Sequence, residues 1–223
     1  GDHMLGAVLK YSQDKTTNTS HNGNTDSYEK IVQSIQNRHQ GFAGRFTYGW
    51  KYRYFFDFNF GYNGSENFAS GQQFGFFPAY SVAWNIAEES IIKKHLKWLN
   101  MFKLRYSYGK VGNDNVGTRF PYVEKFGTWD EDGYYYGDIG TSNYYYTGLT
   151  YSRIASNSIT WEGAKKHDLG LDFSMFNDKF SGSIDYFHEQ RNGIYMLRSY
   201  LPQIIGLNHI TTKPYANVGS VLS

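Results

Sequence analysis

Seven aromatic side chains carry the most direct chemical signal in this sequence. Trp129, Tyr134, Tyr135, Tyr136, Tyr144, Tyr145 and Tyr146 crowd into one irregular stretch. Flat apolar rings with a polar edge stack on sugar rings or pack beneath a protein lid, so these residues are the candidate substrate-binding set. The plainer reading makes them part of an interfacial aromatic girdle or simple loop packing. Asp130, Glu131 and Asp132 beside Gly133 have the oxygen chemistry to hold Ca²⁺. Without further ligands at regular spacing they read as a solvated loop.

Catalytic and metal chemistry finds less support. His3, His21, His39, His95, His167, His188 and His209 show no i,i+3 or i,i+4 pairing and no carboxylates arranged around them, so no metal site is expected. His167-Asp168 and His188-Glu189 are neighbours on strands, which sends their side chains to opposite faces and rules out acid/base pairs. There is no cysteine, hence no disulfide, thiolate ligand or cysteine nucleophile. Gly109-x-x-Gly112 is a strand end and turn, not a phosphate-cradling loop. The sequence predicts a protein that is not an enzyme and needs no cofactor.

What positions the loop aromatics is a series of strands, clearest over Lys51 to Asn63. Tyr52, Tyr54, Phe56, Phe58, Phe60 and Tyr62 fall on one face at period two; Lys51, Arg53, Asp57, Asn59, Gly61 and Asn63 fall on the other, with Phe55 the one intruder. Soluble strands usually fill the inner face with Val, Ile and Leu. An aromatic face about 10 residues long matches a tilted strand crossing a bilayer.

The same two-faced pattern recurs along the chain. Leu5 to Tyr11, Phe42 to Trp50, Phe76 to Ile86, Phe102 to Tyr108, Leu169 to Met175 and Phe180 to Tyr186 all alternate. Residues 13–37 read as a long exposed loop with a short helical turn over Tyr28 to Gln36, and 116–158 as the longest irregular region. Glu88 to Asn100 has helical spacing through Ile91, Ile92, His95, Leu96 and Leu99, so it reads as a short helical connector. Long and short connections alternate, as an up-and-down barrel requires. Lys51, Arg53, Lys103, Arg105, Asp57 and Asp172 are expected to face the lumen, lining a substrate path or, preferably, pairing with one another or with a plug.

Composition agrees. Aromatics make up 19% of 223 residues, with 21 Tyr and 17 Phe, while mean hydropathy is negative at −0.60. A polar average beside so many rings fits a barrel with a wet lumen, long loops and an outer aromatic band. No run approaches about 18 apolar residues, which excludes a helical membrane protein. A net charge of +2 from scattered residues gives no sign of nucleic-acid binding. The expected fold class is all-β: an antiparallel, up-and-down transmembrane β-barrel segment of about seven or eight strands, with residues 1–223 as part of a single outer-membrane barrel domain.

Several blocks resemble one family. Phe77-Pro78-Ala79-Tyr80-Ser81-Val82-Ala83-Trp84-Asn85-Ile86-Ala87-Glu88-Glu89, Leu104-Arg105-Tyr106-Ser107-Tyr108-Gly109-Lys110-Val111-Gly112-Asn113, Trp161-Glu162, Asp168-Leu169-Gly170-Leu171-Asp172-Phe173 and Asn217-Val218-Gly219-Ser220-Val221 are similar to the barrel of SusC/RagA-type TonB-dependent outer-membrane transporters of Bacteroidetes. The resemblance implies import of oligosaccharides or peptides across the outer membrane, powered by the TonB complex and partnered by a SusD-like lipoprotein. It also implies a fragment lacking the plug domain and TonB box, with a third of the about 22 strands of plugged transporters. The first and last strands of such a piece would be unpaired edges, which in lipid demand the rest of the barrel. Two other classes fit the residues alone: a soluble glycan-binding module with a local aromatic platform, and a plain porin or adhesin barrel. A continuous aromatic belt across successive strands separates the first of these from a membrane wall.

Overall fold

The computed structural model describes residues 2–17, 35–136, 144–198 and 214–223. Eight strands form one antiparallel sheet: β1 (His3–Thr16), β2 (Asn37–Trp50), β3 (Tyr54–Ser65), β4 (Phe74–Asn85), β5 (Leu99–Asn113), β8 (Glu162–Met175), β9 (Phe180–Leu197) and β10 (Tyr215–Leu222). β6 (Lys125–Tyr136) and β7 (Tyr144–Arg153) form a separate hairpin between β5 and β8. The order in the large sheet is β1-β2-β3-β4-β5-β8-β9-β10, so every neighbour in the sheet is the next large strand along the chain. A 3₁₀ turn (Ile86–Glu88) and a helix, α1 (Ser90–His95), link β4 to β5.

The connections sort onto two ends. Residues 51–53, 86–98 and 176–179 close β2–β3, β4–β5 and β8–β9 compactly at one end. The connections between β1 and β2, β3 and β4, β5 and β8, and β9 and β10 lie at the other, and all of them except 66–73 are longer than any at the first end. β1 and β10 form the two edges of the sheet.

Four features depart from expectation. The strand expected over Lys51 to Asn63 starts at Tyr54, because Lys51 and Tyr52 occupy left-handed backbone at φ 50° and 56° and the Arg53 amide donates to the Trp50 carbonyl at 2.9 Å. Trp50 and Tyr54 pair directly across this turn, so the face pattern runs through it unbroken and alternation alone hides the turn. Consequently Lys51 and Arg53 leave the lumen-facing set and sit at the short-turn end.

Residues 116–158 are not wholly irregular, since they contain the β6–β7 hairpin. The helical connector expected over Glu88 to Asn100 is divided between the 3₁₀ turn and α1, and extended structure resumes at Leu99, where the chain pairs with Met175. At the first long connection, strand structure runs to Thr16 and restarts at Asn37. Most of the helical turn expected over Tyr28 to Gln36 lies outside the described residues.

Candidate functional site

Strand register assembles the aromatic face row by row. Leu5, Tyr48, Phe56, Val82, Tyr106, Leu169 and Tyr186 lie side by side across β1, β2, β3, β4, β5, β8 and β9. The next row toward the short turns is Trp50, Tyr54, Trp84, Leu104, Leu171 and Ile184, and the row on the other side is Phe46, Phe58, Tyr80, Tyr108, His167 and His188. Neighbouring rings pack against one another across strands, as Tyr80 and Tyr108 do at 5.1 Å, yet their outer surfaces stay open; Tyr186 is 70% exposed. A contiguous apolar sheet face of this extent is unfavourable in water and favourable against hydrocarbon. The belt is continuous, where a glycan platform would be local.

At the short-turn end the belt finishes in a stack. Trp50, Tyr54 and Trp84 lie at 5.6 and 6.3 Å with planes inclined by only 20° and 9°. The Tyr54 hydroxyl and Trp84 indole N–H both donate to the Glu89 carboxylate, at 2.7 and 3.1 Å, and Arg53 reaches the same group at 3.5 Å. Glu89 precedes α1 without capping it through its side chain. Its role is to tie the two short connections together, and those two donors hold its carboxyl below the usual carboxylate range.

The opposite face carries paired charge. Arg45 donates to Asp57 from Nε at 3.1 Å, and Asn59 supports the same carboxylate at 2.9 Å. Arg105 gathers three carboxylates: Asp172 at 3.1 Å, Asp185 at 2.5 Å and Asp168 at 3.6 Å. Ser183 donates to Asp172 at 2.9 Å. The guanidinium lies over Gly170, where an added Cβ would meet Arg105 Cζ at 2.6 Å. Lys166, Glu189, Arg191 and Glu162 continue the ladder at 3.0 to 3.4 Å. Lys103 sits 5.0 Å over the ring of Phe55, the aromatic intruder on this face. Of the residues expected in the lumen, Asp57, Arg105 and Asp172 are thus paired, and Lys103 is held by a cation–π contact.

Sequence reasoning missed the packing at the long-connection end. Phe68, Val116 and Ile159 form a buried cluster, with Trp161 and Tyr195 against it and Phe68 fully buried. Trp161 lies 5.4 Å from Phe68 and 5.0 Å from Phe77, and its indole N–H donates to the Gln73 carbonyl at 3.1 Å. Arg119 bridges Glu66 at 2.6 Å and the Ile35 carbonyl at 2.7 Å. The Asn217 amide donates to the carbonyls of Thr160 and Gly193, at 2.8 and 2.7 Å. Burial, and then the charge of Glu66, push the Tyr122 phenol up. These contacts make the rim a stitched shelf from which the β6–β7 hairpin extends.

Within that hairpin, Tyr134 lies opposite Tyr146, Tyr135 opposite Tyr145, and Tyr136 opposite Tyr144. Tyr134, Tyr135 and Tyr146 are exposed; the side chains of Trp129, Tyr136, Tyr144 and Tyr145, and those of Asp130, Glu131 and Asp132, lie outside the described residues. His167 accepts or donates a 2.9 Å bond with the Tyr106 hydroxyl on the aromatic face, while Asp168 turns to Arg105 on the other. His21 and His209 lie outside the described residues. Among the described residues no group of three His, Cys, Asp or Glu could hold a metal.

No protein-family model matches the chain. Similar curated proteins include the TonB-dependent receptor P3 of Formosa agariphila, 30% identical over 74% of this chain and 15% of that protein. Another is the TonB-dependent receptor SusC of Bacteroides thetaiotaomicron, 30% identical over 72% of this chain and 16% of that one. Among solved structures, the RagAB peptide transporter superposes with a TM-score of 0.70 at 19% identity, over 99% of this chain and 24% of that chain. The fold it shares is that of a transmembrane β-barrel segment. The chain spans under a fifth of the length of the curated relatives it matches.

Proposed function

We propose, starting from the fact that this chain belongs to the SusC/RagA-type TonB-dependent receptors, that it supplies membrane wall and extracellular rim to a receptor importing oligosaccharides or peptides across the outer membrane. The observation that carries this reading is the two-faced sheet, rings on one side across seven successive strands and paired charges on the other. In a barrel the ringed face meets lipid and the charged face meets water or a plug. The short turns then lie on the periplasmic side and the stitched shelf on the extracellular side. Edges β1 and β10 continue into further strands of the receptor, since unpaired edges in hydrocarbon cost several kcal/mol per backbone group.

The protein's role is transport, not catalysis. Its partners are a SusD-like lipoprotein over the long-connection rim, the TonB complex acting through parts outside this chain, and outer-membrane lipid. Trp129, Tyr134, Tyr135, Tyr136, Tyr144, Tyr145 and Tyr146 form the substrate-contacting set, with sugar or peptide planes stacking on rings presented by the β6–β7 hairpin. The Arg105 and Arg45 clusters stiffen the lumen wall.

The test uses the full-length receptor in cells. Wild type takes up labelled oligosaccharide or peptide and copurifies with the lipoprotein. A Y134A/Y135A/Y146A variant keeps its place in the membrane but binds substrate about tenfold or more weakly, at roughly 0.5–1.5 kcal/mol per lost ring contact. Unchanged uptake and binding in that variant would remove the hairpin from the substrate path.

A further inference from the structure

The short-turn end bears a surface to which the proposed transport role assigns no task. On α1, Ile92 and Leu96 are half-buried against the rim, and the outer face presents Ile91 (75% exposed), Lys94 and His95. Trp98 follows, stacked on Phe176 of the β8–β9 turn at 5.5 Å with planes 19° apart. The Phe176 amide donates to the Trp98 carbonyl at 2.7 Å, and Phe176 adopts a left-handed φ of 55°, costly for a bulky side chain. Two large apolar groups are therefore held at the rim, each exposed, with water as their only alternative solvent to lipid.

Charge on the same connector is lopsided. Glu88 is taken by Lys93 at 2.7 Å and Glu89 by Arg53, Tyr54 and Trp84. Lys94 and Lys97 remain exposed without an ion pair among the described residues. Glu89 bonds residues of the aromatic belt, which fixes the connector at the level where that belt ends, and so where hydrocarbon gives way to headgroups. Apolar residues and lysines interleaved at this depth match an interfacial element, apolar groups in the acyl boundary and ammonium groups among phosphates.

We propose that connector 86–98 is a lipid-binding site: Ile91 and Trp98 enter the acyl boundary, and Lys94 and Lys97 hold the phosphate of an anionic phospholipid. This rests on the reading of the sheet as a membrane wall, and continuity with that wall selects lipid over a protein partner as the occupant. The site anchors the rim vertically, so that the β4–β5 and β8–β9 connections move with the bilayer surface.

Nitroxide labels attached through I91C, V82C on the lipid face and S107C on the charged face test the idea in the full-length receptor, in phosphatidylcholine bilayers with or without phosphatidylglycerol. The expected result is oxygen-favoured collision at positions 91 and 82 and water-soluble nickel chelate favoured at 107. A chelate-favoured label at 91 beside an oxygen-favoured label at 82 overturns the lipid site alone, as does a label at 91 shielded from both reagents by protein. A chelate-favoured label at 82 overturns the wall reading itself. In parallel, K94Q/K97Q lowers phosphatidylglycerol retention, read by native mass spectrometry, by about fivefold per lysine; unchanged retention also overturns the proposal.

Discussion

Replacing Tyr80 by arginine places a charge near the middle of the aromatic belt, and the neighbouring Ser81→Arg places the same charge on the opposite face. From Phe76 to Trp84 the strand rises about 20 Å along the bilayer normal, at roughly 3.3 Å per residue and a tilt of about 40°, so Tyr80 sits close to mid-height. A lipid-facing Arg at that depth costs about 2–4 kcal/mol. Loss of the Tyr80–Tyr108 ring pair adds about 0.5–1.5 kcal/mol. Tyr80→Leu isolates that second contribution, because it keeps the face apolar. Ser81 lies directly opposite Asp57 and Ser107, so an Arg there gains a carboxylate neighbour and stays within about 0.5 kcal/mol of wild type. In urea titrations of the receptor refolded into liposomes, Tyr80→Arg therefore shifts the folding equilibrium by about 70- to 10,000-fold, while Ser81→Arg leaves it nearly unchanged. Equal costs at the two positions, or a larger one at Ser81, would refute the assignment of faces.

Three further outcomes follow from local geometry. Glu89 has its carboxyl held low by Tyr54 and Trp84, so its clamp is intact above the ordinary carboxylate range and is lost as pH falls through the depressed value; the melting-temperature gap between wild type and Glu89→Gln should be largest at neutral pH and close once the carboxylate is protonated in acid. The pair K51N/Y52G suits two adjacent left-handed residues better than Lys-Tyr and should stabilise the receptor by about 1 kcal/mol in the same urea titration, the exposed Lys51–Asp2 pair contributing little. Phe68→Ala empties a fully buried position and costs about 3–5 kcal/mol locally, so hydrogen exchange should quicken in 66–73 and 154–161 while β3 and β4 stay protected.

Legibility in the sequence followed the solvent. Between Tyr54 and Tyr62 one face meets hydrocarbon and the other water, and the residue types record that contrast at period two. The turn at 51–53 was hidden because Trp50 and Tyr54 share a face and pair across it, preserving the pattern. In the β6–β7 hairpin the described side chains mark out no buried face: Tyr134, Tyr146 and Leu149 are all exposed, and a register shift separates Trp129 from Tyr134. Its pairing is set by backbone hydrogen bonds, which leave little trace in residue type. The shelf was hidden for another reason, since Phe68, Val116 and Ile159 are single apolar residues in separate connections that only the fold brings together. The bonds of Glu89 to Tyr54 and Trp84 depend on strand register, which residue types do not record. The Arg105 cluster draws on β5, β8 and β9, so charge alternation placed its members on the correct face without naming the partners.

The most direct test of the two-faced wall is a labelling ladder on β3. Single cysteines replacing Asp57, Phe58, Asn59 and Phe60 in the membrane-embedded receptor meet a water-soluble maleimide in turn. Reaction at 57 and 59 with protection at 58 and 60 is the predicted outcome. Uniform reactivity, or protection at 57 and 59 with reaction at 58 and 60, contradicts it.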